Sequence, residues 1–557
     1  MASKRHKKLQ QHAKTEDRQL KGAYYTPLYV VDKAYDKLSE ILGKNWQETY
    51  VIWDMCCGVG NLEVKHCNHR NIYMSTLDQN DIDIMKATET CVASQKFQYD
   101  YLNDDITKDG TIDYSLSDKM PDGLRKAIAD GKKLLVLINP PYVAATNASN
   151  TSASKKGEET SVKIGVSKTR FSEYCMQEYS RAKTEIFVQF LARVTKEMPN
   201  STIAMFSKMK YVTAPAMQGV RDNWNAKYLG GFVVHSKAFD GLKGDFPIGF
   251  LVWKNAQNSK KKRPITEISI EVIDKNAVPI GKKKFYNLQE SDLLNSWVKR
   301  PKPSNIKCIP LKNAVSPATA TKDIRGTKWH DDFIASFNCP GNDFQASNST
   351  CITSSGFSSA GAFFVTKGNL WKVAIMFSVR RLIKQTWLND TDQFLQPTEE
   401  ITEEFKNDCL IWMLFNNSNL TASANNLEWN NKKWDIVNHF IPFTEDEVNA
   451  STRFESDFMV QYLKNKKLSP EAKAVLDEGR KIWQAYFTEA DTHLIREELK
   501  LNRADVGWYQ IRNALKKRCA NNEYFNAIFA GFDDFKNAYS ILSDKLRPQV
   551  FELGFLK

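Results

Sequence analysis

The apolar run Leu134–Ile138 passes without a polar transition into Asn139-Pro140-Pro141-Tyr142, and this junction constrains the chain more than any other stretch. A short continuous apolar run fits a strand buried on both faces, as in a parallel sheet covered by helices. Such sheets gather their ligands at the carboxyl ends of the strands, which is where these four residues fall. Two successive prolines hold φ near about −65° and bias the residue before each towards extended backbone. The side-chain amide of Asn139 and the carbonyl of Pro140 can then be held facing one small cavity. Both offer neutral acceptor oxygens, and Tyr142 adds a flat face for stacking. The set suits a planar exocyclic amine that must lose conjugation before it can act as a nucleophile.

Strand-like runs at 50–53, 72–77, 97–101, 134–138, 203–206 and 250–253 alternate with helical patterns, notably at 29–42 and 184–196. The alternation predicts an α/β class: a Rossmann-like domain whose mostly parallel sheet is covered on both faces. Residues 1–21 carry seven basic and two acidic side chains and read as a flexible basic arm. The polar stretch 144–169 starts two residues after Tyr142, and a long insertion at that place is expected to be a mobile lid or a DNA-contacting loop. The seam 255–264, containing Lys260-Lys261-Lys262-Arg263, is predicted to end the first domain near 256. The remainder, 257–557, is expected to form a large α+β region, divisible into two subdomains, with a helical end. There Ser469 caps Pro470, and Val475, Ile482, Trp483 and Tyr486 share one helix face.

With 557 residues the chain exceeds one core, and its formal net charge of +13 favours a polyanionic partner. No apolar run approaches the roughly 20 residues that span a bilayer, so no membrane role is expected. The polar, basic start is not a secretory signal. Ten cysteines show no framework spacing, which fits reduced thiols in a cytoplasm. Cys56, Cys57, His66, Cys67 and His69 could pass for a metal site. Gly58 and Gly60 interrupt them and no second cluster completes four ligands, so no metal is predicted.

A strand ending in Asp54-Met55-Cys56-Cys57-Gly58-Val59-Gly60-Asn61-Leu62 comes first among the strand ends. Its two glycines permit a tight turn and close approach of a ligand to the backbone. The third glycine of the dinucleotide fingerprint is replaced by Glu63, and Asp54 suits a cationic or zwitterionic guest better than a pyrophosphate. Asp78 follows at the next strand end, where ribose hydroxyls are commonly gripped, and Asp100 at the third. Three acids and then the Asn139 junction describe a cup for a nucleoside bearing an amino acid, such as S-adenosylmethionine.

The order Gly22-Ala23-Tyr24-Tyr25-Thr26-Pro27, then Asp54 to Asn61, Asp78, Asp100-Tyr101-Leu102 and Asn139-Pro140-Pro141-Tyr142 resembles the gamma-group adenine-N6 DNA methyltransferases. The resemblance covers about residues 22–254. It implies that Tyr25, Thr26 and Pro27 close over the methionine part of the cofactor and that Asp54 lies near its ammonium. Cys56, Gly58 and Asn61 belong to the same binding turn, Asp78 to the ribose, Asp100 and Tyr101 to the adenine, and Asn139 borders the cofactor as well. Asn139, Pro140 and Tyr142 then handle the target base, with Phe239 as the second stacking aromatic and Phe246 as its competitor. Met55-Cys56 departs from the Pro and small residue common there. The resemblance further implies double-stranded DNA as partner, base flipping, and a target-recognition region in 257–557. Arg380-Arg381 and Lys432-Lys433 are the candidates for its DNA face. A monomer in a bacterial cytoplasm, whether bacterial or phage-encoded, is expected, with a separate restriction endonuclease as an optional partner. Two other functions remain open on the sequence: methylation of RNA or of a protein glutamine, and a catalytically inactive DNA-binding relative.

Overall fold

The computed structural model describes residues 25–142, 169–242, 244–299, 307–308, 327–328, 332–354, 361–429, 431–488, 503, 505–512 and 526–557. The basic arm 1–21, residues 22–24 of the first motif and the insertion as far as 168 lie outside them. The chain divides into two compact units: Met1–Gln289 with Thr386–Thr391, and Glu290–Gln385 with Asp392–Lys557.

The first unit opens with helix α1, Leu28–Leu42, which buries Val30, Val31, Ala34, Tyr35 and Leu38 on one face and stops at Gly43. Then follow β1 (Val51–Asp54), β2 (Ile72–Thr76), α2 (Gln79–Ala87), β3 (Gln95–Gln98), α3 (Asp122–Ala129), β4 (Leu134–Ile138), α4 (Ile186–Glu197) and β5 (Thr202–Lys208). These are succeeded by β6 (Ala226–His235), β7 (Pro247–Asn255), β8 (Glu267–Ile273) and β9 (Pro279–Tyr286). Among the described residues they form one nine-stranded sheet in the order β3-β2-β1-β4-β5-β7-β6-β8-β9. Strands β1 to β5 run parallel, β7 lies antiparallel between β5 and β6, and β8 is parallel to β6.

Strand β1 has β2 on one side and β4 on the other. The chain winds away in one direction after β1 and returns in the other at β4. Between such strands the crossover connections part and leave a crevice at their carboxyl ends. Every residue of β4 is buried, and its alternate side chains serve opposite faces. Leu135 and Leu137 join Ile52, Phe206 and α1 in one core, while Val136 and Ile138 join Trp53, Met205 and α4 in the other.

Three features differ from the sequence expectations. Strand β3 starts at Gln95 and ends before Asp100, so that acid sits in the turn beyond it. Strand β6 escapes the apolar pattern because Gly230-Gly231 interrupts it at a bulge. The bare Gly231 lets the neighbouring strand in, since a Cβ there would stand 2.2 Å from the Phe250 carbonyl oxygen. The sheet also continues past the basic seam, so the compact unit closes at Gln289 and not near 256. Asn225 ties that seam down: its Nδ2 donates to the carbonyls of Ala256 and Lys261, and its Oδ1 accepts from the Arg263 amide. Trp387, from the returning segment, faces His235 of the same unit at 5.0 Å.

In the second unit a small sheet joins β10 (Ala335–Asn338), β11 (Cys351–Thr353), β12 (Ala362–Val365) and β13 (Asn419–Leu420) in the order β12-β10-β11-β13. Helices at Leu370–Leu382, Glu403–Leu414, Pro470–Thr488 and Asn526–Glu552 share an aromatic core that includes Phe377, Trp412, Phe415 and Trp483. Ser469 caps the third of these helices by accepting from the Ala472 amide. Arg380 does not reach a DNA face. It is 1% exposed, and its guanidinium donates to Thr350 Oγ1 and to the carbonyls of Pro340 and Gly341. Lys432 and Lys433 are exposed.

Candidate active site

Asp54, the last residue of β1, is buried. Its Oδ1 accepts from the Cys56 amide at 2.8 Å, while Oδ2 meets no N–H or hydroxyl donor and has only the Glu63 carboxyl beside it. Burial raises its pKa to about 6. Glu63 lies buried beside it, and burial together with the Asp54 charge pushes its carboxyl well above the usual range. Between them Gly58 (φ 52°) and Gly60 (φ 80°) adopt left-handed backbone, which closes the turn tightly enough for the Gly60 amide to donate to the Cys57 carbonyl.

Asn61 and Asn139 tie this turn to the other strand end. The Asn61 Nδ2 donates to the Thr26 carbonyl at 3.4 Å, and the Asn139 Nδ2 donates to the Thr26 Oγ1 at 3.0 Å. Thr26 itself is buried. Because the Asn139 amide nitrogen is committed to Thr26, its Oδ1 turns the other way, where it accepts from the Tyr142 hydroxyl at 2.6 Å. The Tyr142 carbonyl accepts from Lys208 Nζ at 3.1 Å. The Tyr142 ring meets Phe239 edge-on, with centroids 6.4 Å apart and planes at 86°, and Phe239 in turn packs on Phe206 at 5.8 Å.

One cavity connects these parts. Tyr25 and Thr26 line it from the segment before α1, Asp54, Cys56, Gly58 and Asn61 from the β1 turn, and Asn139 and Pro141 from the end of β4. It is a cleft open to solvent, with about 580 Å³ of empty space when the solvent at its mouth is counted. Its walls combine a carboxylate oxygen that no N–H or hydroxyl of the chain reaches, backbone exposed by glycine, and a fixed amide.

No protein-family model matches the sequence, and no curated protein matches it. Among solved structures, the chain is similar to DrdV in complex with DNA, at 13% identity over 46% of this chain and 28% of that one, with a TM-score of 0.29. The ATP-dependent Type ISP restriction-modification enzyme LlaBIII bound to DNA is matched at 12% identity over 58% and 24%, with a TM-score of 0.31. The Type IIL restriction-modification enzyme MmeI in complex with DNA is matched at 10% identity over 93% and 77%, with a TM-score of 0.29. The chain thus spans 28% of DrdV and 24% of LlaBIII. At these scores the likeness carries no argument about function, which rests on the geometry of the site.

Other residues singled out in the sequence are placed elsewhere. Pro27 caps α1, its carbonyl accepting from the Val30 amide. Asp78 caps α2 through the Asn80 amide, and Asp100 accepts from the Leu102 amide and from Asn103 Nδ2. Tyr101 points into the core on the far face, its hydroxyl on Glu197 at 2.6 Å and its ring 4.4 Å from the Arg193 guanidinium. Pro140 is buried, and Phe246 is half-buried with Lys208 Nζ 5.8 Å from its ring centroid. Asp81 lines the cavity and was not singled out. Its signal was available: it stands in the first turn of the helix that Asp78 caps, facing the same strand ends, with Thr76 Oγ1 donating to it at 3.0 Å.

Proposed function

We propose that the first unit is an S-adenosylmethionine-dependent methyltransferase acting on the exocyclic N6 of an adenine extruded from duplex DNA. The observation that carries this reading is the single cavity that joins the Asp54 turn to Asn139 and Pro141, with Thr26 bonded to both sides. The residues fit the cofactor: Asp54 Oδ2, which no N–H or hydroxyl of the chain reaches, suits an ammonium, and the turn at Gly58 admits a close neighbour. Asp54, Gly58, Asn61, Tyr25 and Thr26 would hold it, and when bound it supplies an electrophilic methyl group.

The chain supplies the acceptors. Asn139 Oδ1 and the Pro140 carbonyl take the two amine hydrogens, which favours a pyramidal nitrogen with a free lone pair. These acceptors need little reorganisation, because Thr26 orients the amide and two prolines fix the backbone. With the cofactor bound, the nitrogen would take its methyl group, the sulfur would leave as a neutral thioether, and Asn139 and Pro140 would hold the amine while its extra proton passes to water. Extruding the base costs a few kcal/mol, which stacking on Tyr142 and Phe239 can offset at about 1–3 kcal/mol per base. The second unit, Glu290–Gln385 with Asp392–Lys557, forms the DNA-reading part in this proposal, which extends to a monomer in a bacterial cytoplasm with or without a separate endonuclease.

The full-length protein, given labelled methyl donor and duplex DNA, RNA or protein in parallel, is expected to leave N6-methyladenine in DNA, read by nucleoside mass spectrometry. Long-read sequencing of the host genome then gives the site. Label in RNA or in a glutamine side chain would replace this reading. Asn139→Ala is expected to abolish transfer with cofactor binding retained; unchanged turnover in that variant would overturn the assignment.

A further inference from the structure

We infer that Lys208 is a positioning residue for this reaction, holding the Tyr142 backbone still while its side chain gives way to the incoming base; the inference rests on the function proposed above. Lys208 ends β5, the strand beside β4. The two strands run parallel with Ile138 opposite Met205, so Lys208 stands level with Pro141, three residues further along. From there its Nζ donates to the Tyr142 carbonyl at 3.1 Å and lies 5.8 Å from the Phe246 ring centroid.

The contact matters because the acceptor that the substrate needs is already taken. Asn139 Oδ1 accepts from the Tyr142 hydroxyl, and the Tyr142 ring is 5% exposed with its edge against Phe239. A base that reaches Asn139 Oδ1 displaces that hydroxyl, and a base that stacks on Tyr142 needs the ring to turn. If the backbone followed the ring, the Pro140 carbonyl two residues earlier would swing with it. Pro140 and Pro141 have no N–H to anchor them, so this turn has no backbone donor between Asn139 and Tyr142. An ammonium on the Tyr142 carbonyl supplies the anchor from a neighbouring strand, through a charge-assisted bond stronger than a neutral one.

The surroundings leave Lys208 free for that duty. The acid among its electrostatic partners, Glu185, is paired with Lys210 at 3.2 Å. Among the described residues Lys208 forms no salt bridge of its own. Burial lowers its pKa, which Glu185 opposes and Lys210 reinforces. It lies outside the lining of the cofactor cavity, so its loss need not disturb cofactor binding.

The test compares K208M, K208Q and K208R with wild type in the full chain, on unmethylated duplex carrying the target site. K208M is expected to lose about 10- to 100-fold in kcat, the scale of an ångström misplacement, with KM for DNA and cofactor affinity nearly unchanged. K208R should recover most of the rate, and K208Q, a neutral donor, part of it. Melting temperatures identify any variant that misfolds; if K208M does, K208Q and K208R decide. An unimpaired K208M overturns the inference. So does a loss confined to KM with a shallower salt dependence, which marks a phosphate contact. A failure of K208R to restore a folded enzyme counts the same way. Wild type that methylates no DNA removes the proposed function and this inference together, whereas active wild type with an unimpaired K208M removes this inference alone.

Discussion

Asp54 shows how one side chain can trade stability for binding. Burial raises its pKa from 3.8 to about 6, so in the ligand-free protein the charged form is the disfavoured one. Its contribution to stability is fully present below the unfolded value and is lost as pH rises through about 6. On the proposed function, cofactor binding runs the opposite way, since an ammonium needs the carboxylate. Affinity for S-adenosylmethionine, followed by calorimetry, is therefore expected to fall about tenfold per pH unit below about 6. Asp54→Asn removes the buried charge. It should raise the melting temperature of the free protein at neutral pH by about 2–4 °C per kcal/mol relieved and weaken cofactor binding. A variant that melts lower and still binds would contradict this account. At the same scale the sequence was only partly legible. Residue type and spacing singled out Thr26, Asp54, Asn61 and Asn139, which meet at one cavity. Spacing could not say which way Asp78 and Asp100 point, and both accept from amides of their own turns.

At the scale of elements, β4 was plain in the sequence because a strand buried on both faces needs apolar side chains at every position. Strand β6 was not, because close approach of its neighbour requires Gly231, which interrupts the apolar run. Gly231→Ala tests that account. A Cβ 2.2 Å from the Phe250 carbonyl forces β6 and β7 apart in the middle of the sheet, and a loss of about 2–4 kcal/mol is expected by chemical denaturation. A variant as stable as wild type would show that the strands have slack. Arg380 teaches a related lesson. In sequence an Arg pair reads as surface charge, yet the first of the two is used to tie a loop to a buried helix, with three acceptors around its guanidinium.

For the whole molecule, charge is the property that composition fixes most directly. With duplex DNA as the partner, as proposed, a net charge of +13 predicts that binding weakens steeply with salt, with log affinity falling by roughly 0.9 per phosphate contact for each unit of log salt concentration. Binding indifferent to salt would remove the electrostatic partner. The sequence by itself determined an alternation of short strands and helices, a first unit built on a mostly parallel sheet, and the chemical character of two strand ends. Those properties follow from periodicity and residue type, which are local. Only the tertiary structure decided that the unit extends through β9, that Thr26 bridges the two strand ends, and that Tyr142 sits on Asn139 with Lys208 on its carbonyl. Each of these is a contact between segments far apart in the chain or a choice of side-chain direction, and both are set by the packing of neighbouring strands.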